Sequence, residues 1–291
     1  MKASQLNINF SQSFVFEYKY GAALIRLAES EISMDKNEIS AVTGIPTGDS
    51  SGKVEPIIHY LTGAGVISSE KKSGRWTISL TELGVVILDS DPSLSEDVSH
   101  LLIHLMLCRS YKDGDSIVSI VEPWGVLFSG SSNRLDSFFS LNDFMLLLSE
   151  SINVKSRLDR ICSTFLSTYF NESSLSSTGA LLGEFDAKRP DGKSISRSPL
   201  SNDKVFFPLY AYYLIKVWED FGFSEQCDFQ EIVSETGLNS IFLWAPNVWD
   251  KLVQWMQEKG YLSSDMQTGG LLVIKTVSSK MLVKNIYDEL V

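Results

Sequence analysis

The chain has 291 residues and 44% hydrophobic content, enough to bury an ordinary core over two or three domains. Its net charge is −11, which excludes a protein that grips nucleic acid over its whole surface but leaves room for a local basic edge. Three cysteines, Cys108, Cys162 and Cys227, lie far apart and are odd in number, so they suggest neither a metal-binding pair nor a disulfide framework.

The opening MKASQLNINFSQSF lacks the apolar block of a secretory signal, and no apolar run is long enough to span a bilayer. A cytoplasmic protein without membrane contact is expected. Residues from Phe10 to Ala28 read as a helical lead-in whose rings, Phe14, Phe16, Tyr18 and Tyr20, pack against the adjoining core. From Met34 to Leu88 the pattern is helix, turn, helix, hairpin, helix. Asn37 is the expected cap of a short helix that Gly44 stops, and Pro46, Gly48 and Asp49 make the turn. Val54, Ile57, Ile58 and Leu61 recur at the spacing of one buried helical face. Pro56 is tolerated only in a first turn, so this helix starts near Ser51 to Lys53. Gly63 and Gly65 end it. Val66 and Ile67 begin a strand, Ser68 to Arg75 is polar and basic, and Trp76, Ile78 and Leu80 alternate as a returning strand. The ordered set is that of a winged helix-turn-helix, whose second helix usually lies in a DNA groove. Candidate DNA contacts are Ser50, Ser51, Lys53 and His59 on the helix side and Lys71, Lys72 and Arg75 on the wing. Asp49, Glu55 and Glu70 stand close by, so affinity for double-stranded DNA should be modest and salt-sensitive.

The next helix spans Ser93 to Cys108. His100 and His104 sit four apart on it, the spacing of two metal ligands, but the carboxylate of an H-E-x-x-H pattern is missing, and half-buried histidines are expected instead. Residues from Ile117 to Phe128 suggest a helix and a tight corner at Pro123-Trp124-Gly125. Helices are expected at Leu141 to Ile152 and Val154 to Phe170, the second burying Leu158, Ile161, Cys162, Phe165, Leu166 and Tyr169, with Lys155, Arg157 and Arg160 on a solvated start. Residues 171–204 read as a long, flexible loop with a second basic cluster, Lys188, Arg189, Lys193 and Arg197. Asp186, Lys188 and Asp191 in this loop are fragments of a nuclease-like set in reversed order, which no strand pattern frames.

The last third repeats the opening. Glu231-Ile232 with Thr236-Gly237 matches Glu38-Ile39 with Thr43-Gly44, and Gly260-Tyr261-Leu262-Ser263-Ser264 matches Gly65-Val66-Ile67-Ser68-Ser69. A second winged-helix-like unit is expected, with a hairpin between Tyr261 and Val277. Its tips carry little basic charge. Trp249 and Trp255 stand at the margins of the face made by Val248, Leu252, Val253 and Met256, and Trp244 is nearby. At least one of these rings should be partly exposed as a partner-binding patch.

Motifs for chemistry fail. Gly48 to Val54 resembles a phosphate loop, but only three residues separate its glycines and Val54 follows the lysine. No nucleophile elbow is present. No catalytic residue, cofactor or metal is expected.

The Phe10 to Phe16 opening resembles a known pattern. So do Gly52-Lys53-Val54, Ile58-His59-Tyr60-Leu61 with Gly65-Val66-Ile67, and Leu80-Thr81-Glu82-Leu83-Gly84. Asp91-Pro92 and the helices at Val154 to Tyr169 and Phe207 to Trp218 complete the likeness. Together they are similar to a prokaryotic family of unknown function often encoded beside DNA phosphorothioation genes. The resemblance implies a DNA-modification or antiphage setting and no catalytic residue.

The expected architecture is mainly α, with an N-terminal winged-helix domain over 1–92, a helical middle over 93–170, the loop over 171–204 and a winged-helix-like unit over 205–291. The expected function is a non-enzymatic DNA-binding or adaptor subunit of a phosphorothioation-linked modification or restriction system. Two rivals are a winged-helix regulator of transcription, which needs a homodimer, and a protein scaffold that touches no DNA.

Overall fold

The structure is a computed structural model that describes residues 6–129, 138–151, 157–184, 194–267 and 270–290. It is mostly helical, with small antiparallel sheets.

The N-terminal part runs α1 (Tyr18–Ala28), β1 (Ile32–Asp35), α2 (Lys36–Thr43), α3 (Val54–Gly63), β2 (Ile67–Lys72), β3 (Arg75–Leu80) and α4 (Glu82–Ser90). The lead-in is helical only from Tyr18. Before it the chain turns, and Phe16, one of the expected rings, packs on Tyr60 with ring centroids 5.6 Å apart, as does Phe10 at 4.8 Å. The cap of α2 is Asp35, not Asn37: its carboxylate accepts from the Asn37 and Glu38 amides, and the Glu38 carboxylate accepts in turn from the Asp35 amide. That reciprocal pair satisfies otherwise orphaned donors, which Asn37 inside the helix cannot do. Lys53 precedes α3, leaving Pro56 in the first turn, and Val54, Ile57, Ile58 and Leu61 are fully buried. β2 and β3 form a hairpin through Ser73 and Gly74, both at positive φ (49° and 82°), the turn whose twist suits paired strands. β1 pairs on the other side of β3, giving the order β1-β3-β2. Gly84 lets α4 lie against the chain: a Cβ there would stand 2.1 Å from the Val66 carbonyl oxygen.

The middle contains α5 (Asp97–Cys108), a hairpin of β4 (Ser110–Asp113) and β5 (Ser116–Ser119), and α6 (Glu122–Trp124), which runs into a wide turn over Gly125–Ser129. The hairpin takes Ile117 to Ser119, the start of the segment expected to be helical, and the expected helix at Pro123-Trp124-Gly125 begins at Glu122. β6 (Phe138–Phe139), α7 (Leu141–Ser151) and α8 (Leu158–Phe170) come next, and all six residues expected on the inner face of α8 are buried. His104 is fully buried and His100 nearly so, deeper than expected. The Trp124 indole donates to the Tyr169 hydroxyl oxygen (2.7 Å), which leaves the Tyr169 proton for His104 Nδ1 (2.6 Å). Burial lowers the His104 pKa to about 3, so the ring is neutral.

The segment 171–204 is not a structureless loop. A 3-10 turn at Leu175–Thr178 packs on α5 and α8, and β7 (Leu181–Glu184) and β8 (Ser194–Arg197) pair in a sheet of order β6-β8-β7. Its serine and glycine content hid short strands whose Ser194, Ile195 and Ser196 are buried. Lys188, Arg189, Lys193, Asp186 and Asp191 lie outside the described residues, as does Lys155.

The last third runs α9 (Phe207–Phe221), β9 (Gln226–Asp228), α10 (Phe229–Glu235), α11 (Leu238–Phe242), α12 (Pro246–Glu258), β10 (Leu262–Gln267), β11 (Gly270–Lys275) and α13 (Ser279–Leu282). The expected hairpin is present, and β9-β11-β10 reproduces the strand order of the first sheet. The likeness extends to single bonds. Asp228 caps α10 as Asp35 caps α2. The Thr43 and Thr236 hydroxyls each donate to the carbonyl four residues back at 2.6 Å. Thr81 and Thr276 donate to the Gly65 and Gly260 carbonyls, both at 2.7 Å. No helix among the described residues is long and apolar enough to cross a membrane.

Candidate nucleic-acid interface

One loop and two strands carry the basic edge: Lys53 ends the turn before α3, Lys71 and Lys72 lie on β2, and Arg75 opens β3. Ser50 and Ser51 are exposed on the turn between α2 and α3, which is held by the Lys36 ammonium donating to the Gly48 and Asp49 carbonyls (2.6 and 3.0 Å) and by a bridge between Thr47 and Gly52. This turn faces the β2–β3 hairpin across an open groove of about 480 Å³ that Lys36, Asp49, Ser50, Ser51, Glu55 and Lys71 line. The groove therefore gathers Ser50, Ser51 and Lys71. Lys53, His59, Lys72 and Arg75 do not line it.

Each expected basic contact has a carboxylate partner. Lys53 bonds Glu17 and lies 5.3 Å from the Tyr20 ring centre. Lys71 meets Glu55 at 2.5 Å and stands over the Trp76 ring. Lys72 meets Glu70 at 2.9 Å, and Arg75 meets Glu38 at 3.0 Å while donating to the Ser33 carbonyl at 2.6 Å. The positive strip is thus locally neutralised. Burial alone would raise the Glu55 pKa, but the charge and bond of Lys71, with a further bond from Gln12, outweigh it and the net shift is downward. His59 is half-buried between Trp76 and Phe10, and desolvation lowers its pKa, so it presents no charge at neutral pH. Glu17 and Glu38 were not visible as partners from spacing, because the fold brings them in from distant positions in the chain.

Two of the other basic residues, Arg160 and Arg197, make structural bonds. Arg160 donates to the Gln12 carbonyl (3.2 Å) and to the Ser13 hydroxyl. Arg197 is buried, donates to the Leu127 and Ser240 carbonyls, and its burial lowers its pKa to about 10.

The tryptophan patch is not there. Trp249, Trp255 and Trp244 are 3%, 8% and 8% exposed. Trp249 falls at i with Leu252, Val253 and Met256 at i+3, i+4 and i+7, so it belongs to the buried face rather than its margin. It packs against Trp244 and Phe242 (4.9 and 5.0 Å), and Trp255 is closed in by Phe207 and Tyr261. These rings are core, and neither Trp249 nor Trp255 offers a partner-binding surface.

No family model matches the sequence, and no curated protein matches it. Solved structures match along nearly the whole chain, two of them described as SspB. One, described as a magnesium ion-bound SspB crystal structure, gives a TM-score of 0.77 at 14% identity over 99% of this chain and 90% of its own. The second, an SspB crystal structure, gives 0.77 at 13% identity over the same shares. The chain has the fold of SspB. At this identity the likeness to SspB is one of architecture. Magnesium prefers several oxygen ligands. Among the described residues of this chain, no group of three or more His, Cys, Asp or Glu side chains is arranged to hold a metal ion.

Proposed function

We propose that this chain is a non-enzymatic subunit of a DNA phosphorothioation-linked modification or antiphage system. Its N-terminal winged helix makes a weak, salt-sensitive contact with double-stranded DNA while other faces engage the system's proteins. The end-to-end fold likeness to SspB, a phosphorothioation-associated protein, carries the reading. The order helix, strand, helix, helix, hairpin supports a winged helix, with the turn before α3 and the β2–β3 hairpin on either side of one groove. The carboxylate partners of Lys53, Lys71, Lys72 and Arg75 favour weak contact: each phosphate contact must first displace an internal ion pair. The test is fluorescence anisotropy with duplex DNA across a salt series, with and without the products of neighbouring modification genes. Binding that strengthens with falling salt and tightens with a partner is the expected result. No binding under any condition leaves the protein scaffold in its place.

A second reading rests on the magnesium in one neighbour: a metal-dependent reaction on DNA. Incubating supercoiled plasmid with the chain and magnesium, beside a chelator control, separates the two. Metal-dependent conversion to open circles would overturn the non-enzymatic reading.

A further inference from the structure

A cavity of about 540 Å³ lies on the far side of β2, where the N-terminal part meets α5, α9 and α13. Nothing in the DNA reading uses it. Arg109, directly after α5, lines it and is 7% exposed. Its Nε has no hydrogen-bond partner, and its nearest counter-charge is Asp220 Oδ2 at 3.5 Å, too long for a bond. A buried Nε–H without a hydrogen-bond partner is costly, unless a ligand completes it.

Three further donors converge on the same space from separate elements. Lys216 on α9 has Asp220 as partner and keeps two ammonium protons beyond that bond. Lys280 on α13 meets Glu82 at 3.1 Å. Ser68 on β2 presents an exposed hydroxyl. Arg109, Lys216 and Lys280 set three positive charges against the two carboxylates of Asp220 and Glu82, while Glu219 alongside is engaged by Lys275 and Ser279. The cavity is therefore net positive inside an acidic protein. Donors from four elements suit a tetrahedral oxyanion, which has more oxygens to satisfy than a planar carboxylate. The volume falls within the range of small-molecule sites, about 300–1,000 Å³, and far exceeds a bare phosphate. Met106, Ile120 and Tyr212 supply an apolar wall for an uncharged body.

We propose that this cavity binds a phosphate monoester of nucleoside size, with Arg109 and Lys216 on the phosphate and the wall of Met106, Ile120 and Tyr212 on the remainder. The ligand touches both the N-terminal part and the last third, so binding ties them together. The proposal does not depend on DNA binding. The test is calorimetric titration of the full chain with adenosine monophosphate, adenosine, inorganic phosphate and succinate. Adenosine monophosphate should bind, adenosine and succinate should not, and phosphate alone should bind more weakly. Arg109→Lys, which keeps charge but loses the planar fork, and Lys216→Gln should each weaken binding about tenfold or more, the loss expected of a charge-assisted bond. If Arg109→Lys does not fold, as judged by its melting curve, Lys216→Gln decides. Absence of adenosine monophosphate binding, binding indifferent to Lys216→Gln, or preference for succinate overturns the assignment.

Discussion

Replacing Glu55 by Gln deletes the carboxylate that holds Lys71 at 2.5 Å and leaves a side chain of nearly the same shape. The pair is partly exposed, with side-chain accessibilities of 43% for Lys71 and 25% for Glu55, so its strength belongs to the surface class, about 0.2–1 kcal/mol. A DNA phosphate that takes Lys71 must offset that amount, and the Gln variant removes the charge. The dissociation constant for duplex DNA should therefore tighten by up to about fivefold, the equivalent of about 1 kcal/mol. The salt slope should steepen by up to about 0.9, one phosphate's worth of released counterion. The complementary triple variant Lys71→Ala, Lys72→Ala, Arg75→Ala should flatten the slope by about 0.9 for each phosphate that is no longer engaged. Anisotropy titrations across a salt series read both quantities. If Glu55→Gln leaves affinity and slope unchanged and the triple variant does too, the wing touches no phosphate and the groove is not a DNA site.

The remaining predictions concern the frame. Gly84→Ala should cost about 1–3 kcal/mol or more in urea unfolding, because the new methyl meets the Val66 carbonyl rather than a side chain that can move. Trp249→Ala should cost about 3–5 kcal/mol as a core deletion, while Trp249→Phe, which also removes an indole N–H without a partner, should cost far less. His104 has a folded pKa of about 3 against an ordinary 6.5, so the unfolded state takes up the proton first. Its contribution to stability is whole above about pH 6.5 and is lost as pH falls from there towards 3, by at most about 1.4 kcal/mol per pH unit. Denaturant midpoints measured between pH 7 and pH 4 should fall, and less steeply in His104→Gln.

Much of the frame was legible because local rules wrote it. The face of α3, its start beside Pro56, the two hairpins and the inner face of α8 all follow from side-chain period and turn chemistry. The illegible parts depended on contacts between distant residues. Segment 171–204 reads as loop until β6 arrives to pair with β8. Lys53 and Arg75 read as free until Glu17 and Glu38 are brought beside them. Arg109 carried no sequence signal at all, since α5, α9 and α13 assemble its cavity. The burial of Trp249 and Trp255 is different, because the internal repeat already encodes it. With Gly260 laid on Gly65, Trp249 falls on Val54 and Trp255 on Tyr60, both fully buried.

That same alignment provides an internal control for the basic edge. Ile67 to Lys72 falls on Leu262 to Gln267, and the two hairpins close in one register, Lys72 opposite Arg75 and Gln267 opposite Gly270. Glu70 has its counterpart in Asp265, but Lys71, Lys72 and Arg75 correspond to Met266, Gln267 and Gly270. On the helix, Lys53 and His59 correspond to Val248 and Gln254, whereas Glu55 keeps its charge as Asp250. The glycine turns and threonine bonds are present in both units, so the frame requires them. The cations are present in one, so the frame stands without them. Ion pairing with Glu38, Glu55 and Glu70 is thus a poor reason for the presence of Arg75, Lys71 and Lys72, since pairs open to solvent add little to stability. A cation that folding does not need, held beside a groove by a bond of less than about 1 kcal/mol, is a cation available to a polyanion once that bond is exchanged.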